Sequence, residues 1–363
     1  MKKFFKGLLY LLITIVVIVV AYILYVVLTF YRIDDNIQLD IENNKTEIIE
    51  LNTEYTIMTY NVGFGAYQQD YSFFMDCGTL KTGEEVCGVY GKGKSEEDVL
   101  NNINTSIDIA SESNADFYFF QEIDKDSDRA FNINQYDLLK SEFTDYSSIY
   151  GQNFHSAFLA YPLNDMHGAS DAGLVTLSKY AVEESTRRSY SVPEGFPAKY
   201  MDLDRCFVLS RYSLENGKQL VLINSHMSAY DEGGTTRQKQ LAELNAVMKE
   251  EYEKGNYVIV GGDFNHDIAD STDTFASEEE TPTWIYDITN EDLTEGYSIV
   301  VAENKLEVAT CRAAELPYTK GINHVDIIDG FFVSDNISAT SVNIETEYIS
   351  SDHNPVILTF SLE

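Results

Sequence analysis

The sequence predicts an α/β layered domain carried behind one membrane-spanning helix. Two observations predict it. Strand-like apolar runs and amphipathic helical segments alternate through one continuous region of about 310 residues, the pattern of strands layered with helices. Ahead of that region, 25 consecutive residues from Gly7 to Tyr31 carry no charged side chain.

The apolar run, GLLYLLITIVVIVVAYILYVVLTFY, is longer than the ~20 residues that a helix needs to cross a bilayer. It is apolar on every face, which a soluble helix rarely is over so many turns. Lys2, Lys3 and Lys6 precede it, and Arg32, Asp34 and Asp35 follow it. Three lysines before the span favour a cytoplasmic amino terminus, so everything after Arg32 is expected outside. The competing reading is a cleaved signal peptide. Its apolar core runs to about 7–15 residues and ends at a small-residue site. This run is longer, and nothing like Ala-x-Ala follows it. The expected organisation is a short cytoplasmic tail at 1–6, a transmembrane anchor at 7–31, a polar stalk at 32–53 and a globular domain at 54–363. The protein is then single-pass in the plasma membrane, held in the lipid bilayer by its first helix, with the domain extracytoplasmic.

Within the domain, strand-like runs are read at Tyr55–Tyr60, Asp116–Gln121, Leu174–Leu177, Cys206–Tyr212, Gln219–Asn224, Tyr257–Val260, Ile327–Val333 and Val356–Phe360. Several are continuously apolar, as strands covered on both faces are. Ser95 to Ser113 reads as a helix with Val99, Ile103, Ile107 and Ala110 at helical spacing, opened by Ser95 and Asp98. Thr235 to Lys254 reads as a second, with Leu241, Leu244, Met248 and Tyr252 on one face and Gly255 as its stop. Phe73–Ser95 and Ala269–Pro282 read as loops, and loops beside a site often set substrate choice.

Composition limits the partners. The net charge is −34, from 59 acidic and 25 basic residues. Nonspecific nucleic-acid binders gain most of their affinity from basic surface, so no stable nucleic-acid complex is expected. The four cysteines form no CxxC pair, which argues against a structural zinc site. Cys77 and Cys87 fit a local disulfide if the domain is extracytoplasmic; Cys206 and Cys311 read as small buried residues.

Five segments share one layout, an apolar strand that ends in polar or metal-competent residues: IMTYNVG with Asn61, FYFFQE with Glu122, LVLINSHMS with Asn224 and His226, YVIVGGDFNHD with Asp263 and Asn265, and ISSDHNPV with Asp352 and His353. Ligands of open α/β sheets bind outside the carboxyl ends of strands, so these groups are expected to converge on one cleft. Asp, Glu and Asn offer hard oxygen ligands for Mg²⁺, Mn²⁺ or Ca²⁺. Histidines add acid/base capacity near neutral pH. No Ser or Cys sits in a nucleophile elbow. The consistent chemistry is attack of water on a phosphate ester, with a metal neutralising charge.

With these five segments in order, the chain from about Tyr55 to Phe360 resembles the endonuclease/exonuclease/phosphatase superfamily. The resemblance implies a four-layer α/β sandwich of two packed mixed β-sheets flanked by helices, and a divalent-metal-dependent phosphoric ester hydrolase. It implies roles residue by residue. Glu122 looks like the principal metal ligand, with Asn61 and Asp352 beside it. Asn61 and Asn265 look like phosphate contacts. His226 looks like an acid at the scissile phosphate, Asp263 like the residue that orients or deprotonates water, and His353 like a second group that stabilises or protonates at the phosphate. Asp329 is the candidate that orients His353, with Asp326 as rival. Tyr150, Asn153 and His155 lie where relatives carry substrate-side residues. His266 is a candidate cleft residue, His167 and His324 read as loop histidines, and Arg205 and Lys199 are possible phosphate contacts that nothing local distinguishes. The Cys77–Cys87 insertion is not a general feature of the superfamily, and the strong negative charge is unlike its nucleic-acid-processing members. The first expectation is therefore hydrolysis of a phospholipid head group or small phosphoester. An extracellular nuclease and an inactive binding module on the same fold are the alternatives.

Overall fold

A run such as YTIMTYN, apolar on both faces, is stable as a strand only when both faces are covered, and two stacked sheets with helices outside supply that cover. The computed structural model describes residues 2–195, 198–200, 202–229, 235–283 and 285–363. Two mixed seven-stranded sheets pack face to face. One runs Ile37–Gln38, Glu184–Ser189, Cys206–Ser213, Gln219–His226, Tyr257–Asp263, Asp329–Ser334, Tyr297–Val300. The other runs Ile337–Asn343, Val356–Leu362, Glu54–Asn61, Phe117–Asp124, Gly168–Ser178, Ser147–Leu159, Ile41–Glu42. Each contains one parallel pair: Gln219–His226 with Tyr257–Asp263, and Glu54–Asn61 with Phe117–Asp124.

The core between the sheets is apolar, with Ile57, Phe117, Phe119 and Leu174 from one sheet against Val208, Leu222, Ile259 and Phe331 from the other. The helices Glu96–Ser113 and Gln135–Glu142 cover one outer face, and Thr235–Glu253 covers the other. This is the four-layer arrangement. Ser95 caps its helix by accepting the Asp98 amide, and left-handed Asn114 ends it.

The helix Lys2–Thr29 is long and apolar enough to cross a membrane, with a mean hydropathy of 3.2 and no residue buried in the domain. Residues 32–53 correct the expected stalk. Ile37–Gln38 and Ile41–Glu42 add a short edge strand to each of the two sheets. Ile49 is buried in the inter-sheet core, with Leu39, Ile41 and Leu51 against it. Arg32 pairs with Asp204 at 2.7 Å. The polar composition hid this because the few apolar residues are spaced to reach inward while Asn and Asp face water.

Cys77 and Cys87 form a disulfide across a small hairpin. Cys206 is buried and Cys311 half-buried, and neither is bridged. The two expected loops join: Leu80 bridges Glu279, Lys81 N donates to Glu278 O, and Glu280 N donates to Thr79 O.

Candidate active site

The register of the strands builds the site. Asn61 ends its strand opposite Gln121, and His226 ends its strand opposite Asp263. Asp263 in turn faces Asp329 on the antiparallel neighbour. Asn61, His226 and Asp263 end their strands, Glu122 sits in a bulge of Phe117–Asp124, and Asp352 and His353 precede Val356–Leu362 where a strand end was expected; all arrive at one end of both sheets, where a cleft of about 520 Å³ opens.

Two glycines make the geometry. Gly262 has φ 147°, and a Cβ there would stand 1.9 Å from the Ser225 carbonyl oxygen, so the GGD segment has no room for a side chain. Gly63 has φ 52°, and its Cβ would crowd Asp352 Oδ1 at 2.9 Å. Glu122 and Asn265 also hold positive φ, 59° and 51°, which costs a non-glycine residue about 1–3 kcal/mol. Glu122 lies inside a register shift between Phe120 and Ile123, a bulge that aims its side chain into the cleft.

Asn61 is the hub. Its Nδ2 donates to Asp263 Oδ2 at 3.0 Å and reaches Glu122 Oε1 at 3.5 Å, and its Oδ1 accepts from Gly63 N. Asp263 Oδ1 accepts from Asn265 N at 2.9 Å. Burial would raise the Asp263 carboxyl, but the two imidazoles and the donors around it hold it well below the usual carboxylate range. Asn265 lines the cleft while its Nδ2 donates to Met227 O.

The two histidines differ in charge. His226 Nε2 is 2.5 Å from Arg205 Nη1 and 3.3 Å from Asp263 Oδ2. A guanidinium nitrogen only donates, so Nε2 accepts in the contact with Arg205 and must donate in the one with Asp263, and Nδ1 is buried with no hydrogen-bond partner among the described residues. Burial and then the Arg205 charge lower its pKa. His353 Nδ1 instead bonds Asp329 Oδ2 at 2.8 Å. Burial alone would lower this ring, but the Asp329 charge outweighs it and raises its pKa well above the ordinary value. His353 Nε2 then faces the cleft as a charged donor, 3.8 Å from Asp263 Oδ2. Asp329 is thus the orienting residue. Asp326 hydrogen-bonds Ser271 and Thr272 instead and lies 3.6 Å from His324.

Glu122 and Asp352 lie on the cleft floor with few donors among the described residues. Glu122 has only Asn61 at 3.5 Å and His226 at 4.0 Å, and Asp352 Oδ1 has Ser351 Oγ at 3.4 Å. Burial pushes the Asp352 carboxyl up to about 6, and the Glu122 charge adds to the rise. Two underbonded carboxylates that repel each other are a hard-oxygen donor pair that fits a divalent cation, whereas Asn61, expected as a metal ligand, turns its Nδ2 toward Glu122 and has its Oδ1 held by Gly63 N. Asp263, Asp329 and His353 also bring ligand atoms within 4.8 Å of one another. Within that trio Asp329 Oδ2 bonds His353 Nδ1 and Asp263 is bonded by Asn61 and Asn265, while Asp329 Oδ1 has no hydrogen-bond partner among the described residues.

Several expected residues lie elsewhere. Tyr150 donates to Asp171 at 3.0 Å under the Lys125 ammonium. His155 stacks on Tyr31 with ring centroids 4.3 Å apart. Neither lines the cleft, because the register of Ser147–Leu159 turns them away from it. Asn153 is the extra residue of a bulge, buried, with neither side-chain atom hydrogen-bonded among the described residues. His266 is buried against Phe264 O, outside the cleft lining. Lys199 sits over the Phe30 and Tyr200 rings. Conversely, His167 and His324, read as loop histidines, are buried cleft residues, as are Arg129 and Arg312. Arg129 is committed to Asp124, and Arg312 to backbone carbonyls of Tyr67, Gln68 and Tyr71. Arg205 was legible: counting back equally from the Asn216–Gly217 turn sets Cys206 opposite His226, with Arg205 at the mouth. The wall above the floor is apolar, with Phe64, Phe73, Phe74, Phe154, Leu159 and Tyr161.

A family model for the endonuclease/exonuclease/phosphatase family matches residues 58–353. The chain belongs to this family. No curated protein matches it by sequence comparison. Among solved structures, an endonuclease/exonuclease/phosphatase protein from Beutenbergia cavernae superposes with a TM-score of 0.56 at 14% identity, covering 85% of this chain and 72% of that one. ANGEL2, a 2′,3′-cyclic phosphatase in complex with adenosine-2′,3′-vanadate, gives 0.55 at 14% identity over 91% and 99%. TDP2 from D. rerio, complexed with single-strand DNA product, gives 0.54 at 14% identity over 85% and 100%. The family member described here has the shared fold, and Glu122, Arg205, His226, Asp263, Asp352 and His353 line one cleft.

Proposed function

We propose that this chain is a divalent-metal-dependent phosphodiesterase or phosphatase, anchored in the plasma membrane, that hydrolyses a phospholipid head group or another small phosphoester outside the cytoplasm. The observation that carries the reading is the convergence of Glu122 and Asp352 with Asn61, Arg205, His226, Asp263 and the His353–Asp329 pair in one cleft. Glu122 and Asp352 would hold Mg²⁺, Mn²⁺ or Ca²⁺, with Asn61 orienting Glu122 and Asp263 through its Nδ2; the ion would supply charge neutralisation at the phosphate. Asp263, held ionised, takes a hydrogen bond from the attacking water and aims it. Arg205 and His353 donate to phosphate oxygens where negative charge develops. His353 holds the proton that the leaving oxygen needs. The apolar wall seats the rest of the substrate.

The charge of the cleft supports a small substrate over a polymer. Its lining holds seven carboxylates against three arginines, two of which are committed to protein groups. The TDP2 structure with a DNA product keeps a nuclease as the second reading. The outward placement rests on the lysines before the helix and on the Cys77–Cys87 disulfide, a bond that persists in oxidising compartments.

The test is hydrolysis by the full chain in nanodiscs, with Mg²⁺, Mn²⁺ or Ca²⁺ and with chelator, against sphingomyelin, phosphoinositides, bis-p-nitrophenyl phosphate, DNA and RNA. Turnover of lipid or small ester that needs metal and is lost in Glu122→Ala is expected. Cleavage of nucleic acid alone would overturn the substrate class in favour of the nuclease, and silence across the panel would favour an inactive binding module. Protease digestion of intact cells expressing the chain reads the topology: a protected domain would overturn the outward placement.

A further inference from the structure

The connection between Ser147–Leu159 and Gly168–Ser178, sequence AYPLNDMH, leaves the sheet beside the cleft and exposes large apolar side chains to water. Tyr161 is 59% exposed and Leu163 77%, with Phe158 and Met166 also exposed. The neighbouring segment adds exposed Met75 and Val89. The two segments are tied together: Gly91 N donates to Asp165 Oδ2 at 2.8 Å, His167 Nδ1 bonds Gly91 O at 2.7 Å, and the Phe74 and Tyr161 rings meet at 5.5 Å. Asp165, the one charged residue of the connection, is thus turned inward.

The N-terminal helix docks on this connection. Tyr22 Oη donates to Phe158 O at 3.1 Å and accepts from Ala160 N at 3.0 Å, while Tyr25 Oη accepts from Phe158 N at 3.4 Å. Depth follows by counting. About 20 residues cross the hydrocarbon, so a crossing that begins at Gly7 ends near Val26. Tyr22 and Tyr25 then lie within about 6 Å of that boundary at 1.5 Å per residue, in the interfacial zone where tyrosine is favoured. Whatever those two tyrosines touch lies at the same depth.

We propose that residues 158–166, with Met75 and Val89 beside them, form a lip seated in the interface of the leaflet where the helix ends, so that the cleft receives its phosphoester from a lipid still held in that leaflet. Tyr161, Leu159, Phe74 and Met75 belong both to this lip and to the cleft lining, so one apolar surface runs from bilayer to catalytic floor. The inference rests on the anchor and the phosphoester reading proposed above.

Two measurements on the full chain test it separately from that reading. In the first, a single tryptophan is placed on the lip (Leu163→Trp with Trp284→Phe) and the protein is reconstituted in phosphatidylcholine vesicles. Quenching by lipids brominated near the head of the acyl chain, with little quenching by aqueous acrylamide, is expected. Quenching by acrylamide alone, or a lip buried between two copies in cross-linking, would overturn the lip whatever the enzyme hydrolyses. In the second, Leu163→Asp with Val89→Asp, neither of which lines the cleft, is expected to lower turnover of vesicle-borne phospholipid about tenfold and to leave bis-p-nitrophenyl phosphate hydrolysis unchanged. Equal turnover of both substrates in variant and parent would overturn the route from leaflet to cleft.

Discussion

His353 Nδ1 lies 2.8 Å from Asp329 Oδ2, and both groups are buried, so the ring is fixed with its other nitrogen toward the cleft. The pair sets the protonation of the site. A histidine with a raised pKa keeps its charge as pH rises until that raised value, and the activity that depends on the charge falls only above it. Asp329→Asn removes the partner charge, so the falling limb of the kcat–pH profile moves to lower pH. At neutral pH kcat drops on the order of a hundredfold. An unmoved limb would refute the role of the pair.

Arg205 is the cation aimed at the floor without a carboxylate partner among the described residues. Arg205→Ala is expected to lower kcat/KM roughly a hundredfold, the cost of removing one donor to a developing oxyanion. Arg205→Lys keeps the charge and loses the fork, and recovers only part of the rate. Equal rates for Ala and Lys variants would show that the side chain acts through packing.

The Glu122 charge raises the Asp352 carboxyl, so the two repel each other, and a cation bound as proposed would relieve that repulsion. Mg²⁺ is expected to raise the Tm of the parent chain and to leave the Tm of Glu122→Gln unchanged. Chelation removes activity from the parent, and the variant loses on the order of a hundredfold or more at saturating metal. A metal-induced Tm shift that survives in Glu122→Gln would move the cation to the Asp263–Asp329–His353 trio.

Glu279 lies where the two loops meet. Burial, then the Glu315 charge, pushes its carboxyl up to about 7. The folded state therefore binds a proton that the unfolded chain releases, between its usual range and pH 7. This contribution destabilises the fold above pH 7 and fades as pH falls toward 4.5. Glu279→Gln is expected to raise the Tm at pH 8 by roughly 2 °C or more and to change it little at pH 5. Equal shifts at both pH values would refute the titration.

Legibility followed burial. Strands buried on both faces, such as Phe117–Asp124 and Tyr257–Asp263, announce themselves as apolar runs. Strands at and beside the edge do not: Ile337–Asn343 and the penultimate Ser147–Leu159 are half polar, and Ile41–Glu42 is two residues long. The helix Gln135–Glu142 is too short for its periodicity to show. In the site, residues at strand ends were readable because register converts position into proximity. Tyr150 and His155 lie inside a long, bulged strand, where proximity along the chain does not predict which face a side chain takes. His167 and His324 reach the cleft from loops, and Arg312 from a two-residue strand paired with Val325–Asp326, conformations that depend on contacts far apart in sequence, so no local pattern marked them. The positive φ of Glu122 and Asn265 is likewise a tertiary outcome.

Residues 32–53 are sewn into both sheets, and that removes the leash between helix and domain. An enzyme on a flexible tether samples a hemisphere of solution. On the anchor and lipid reading proposed above, a domain whose tether is part of its fold would search by lateral diffusion, and its encounter rate would scale with the surface density of substrate in its own leaflet, not with bulk concentration. The same weave divides the segment between two sheets: a nick between Gln38 and Ile41 leaves each edge strand paired on its own sheet.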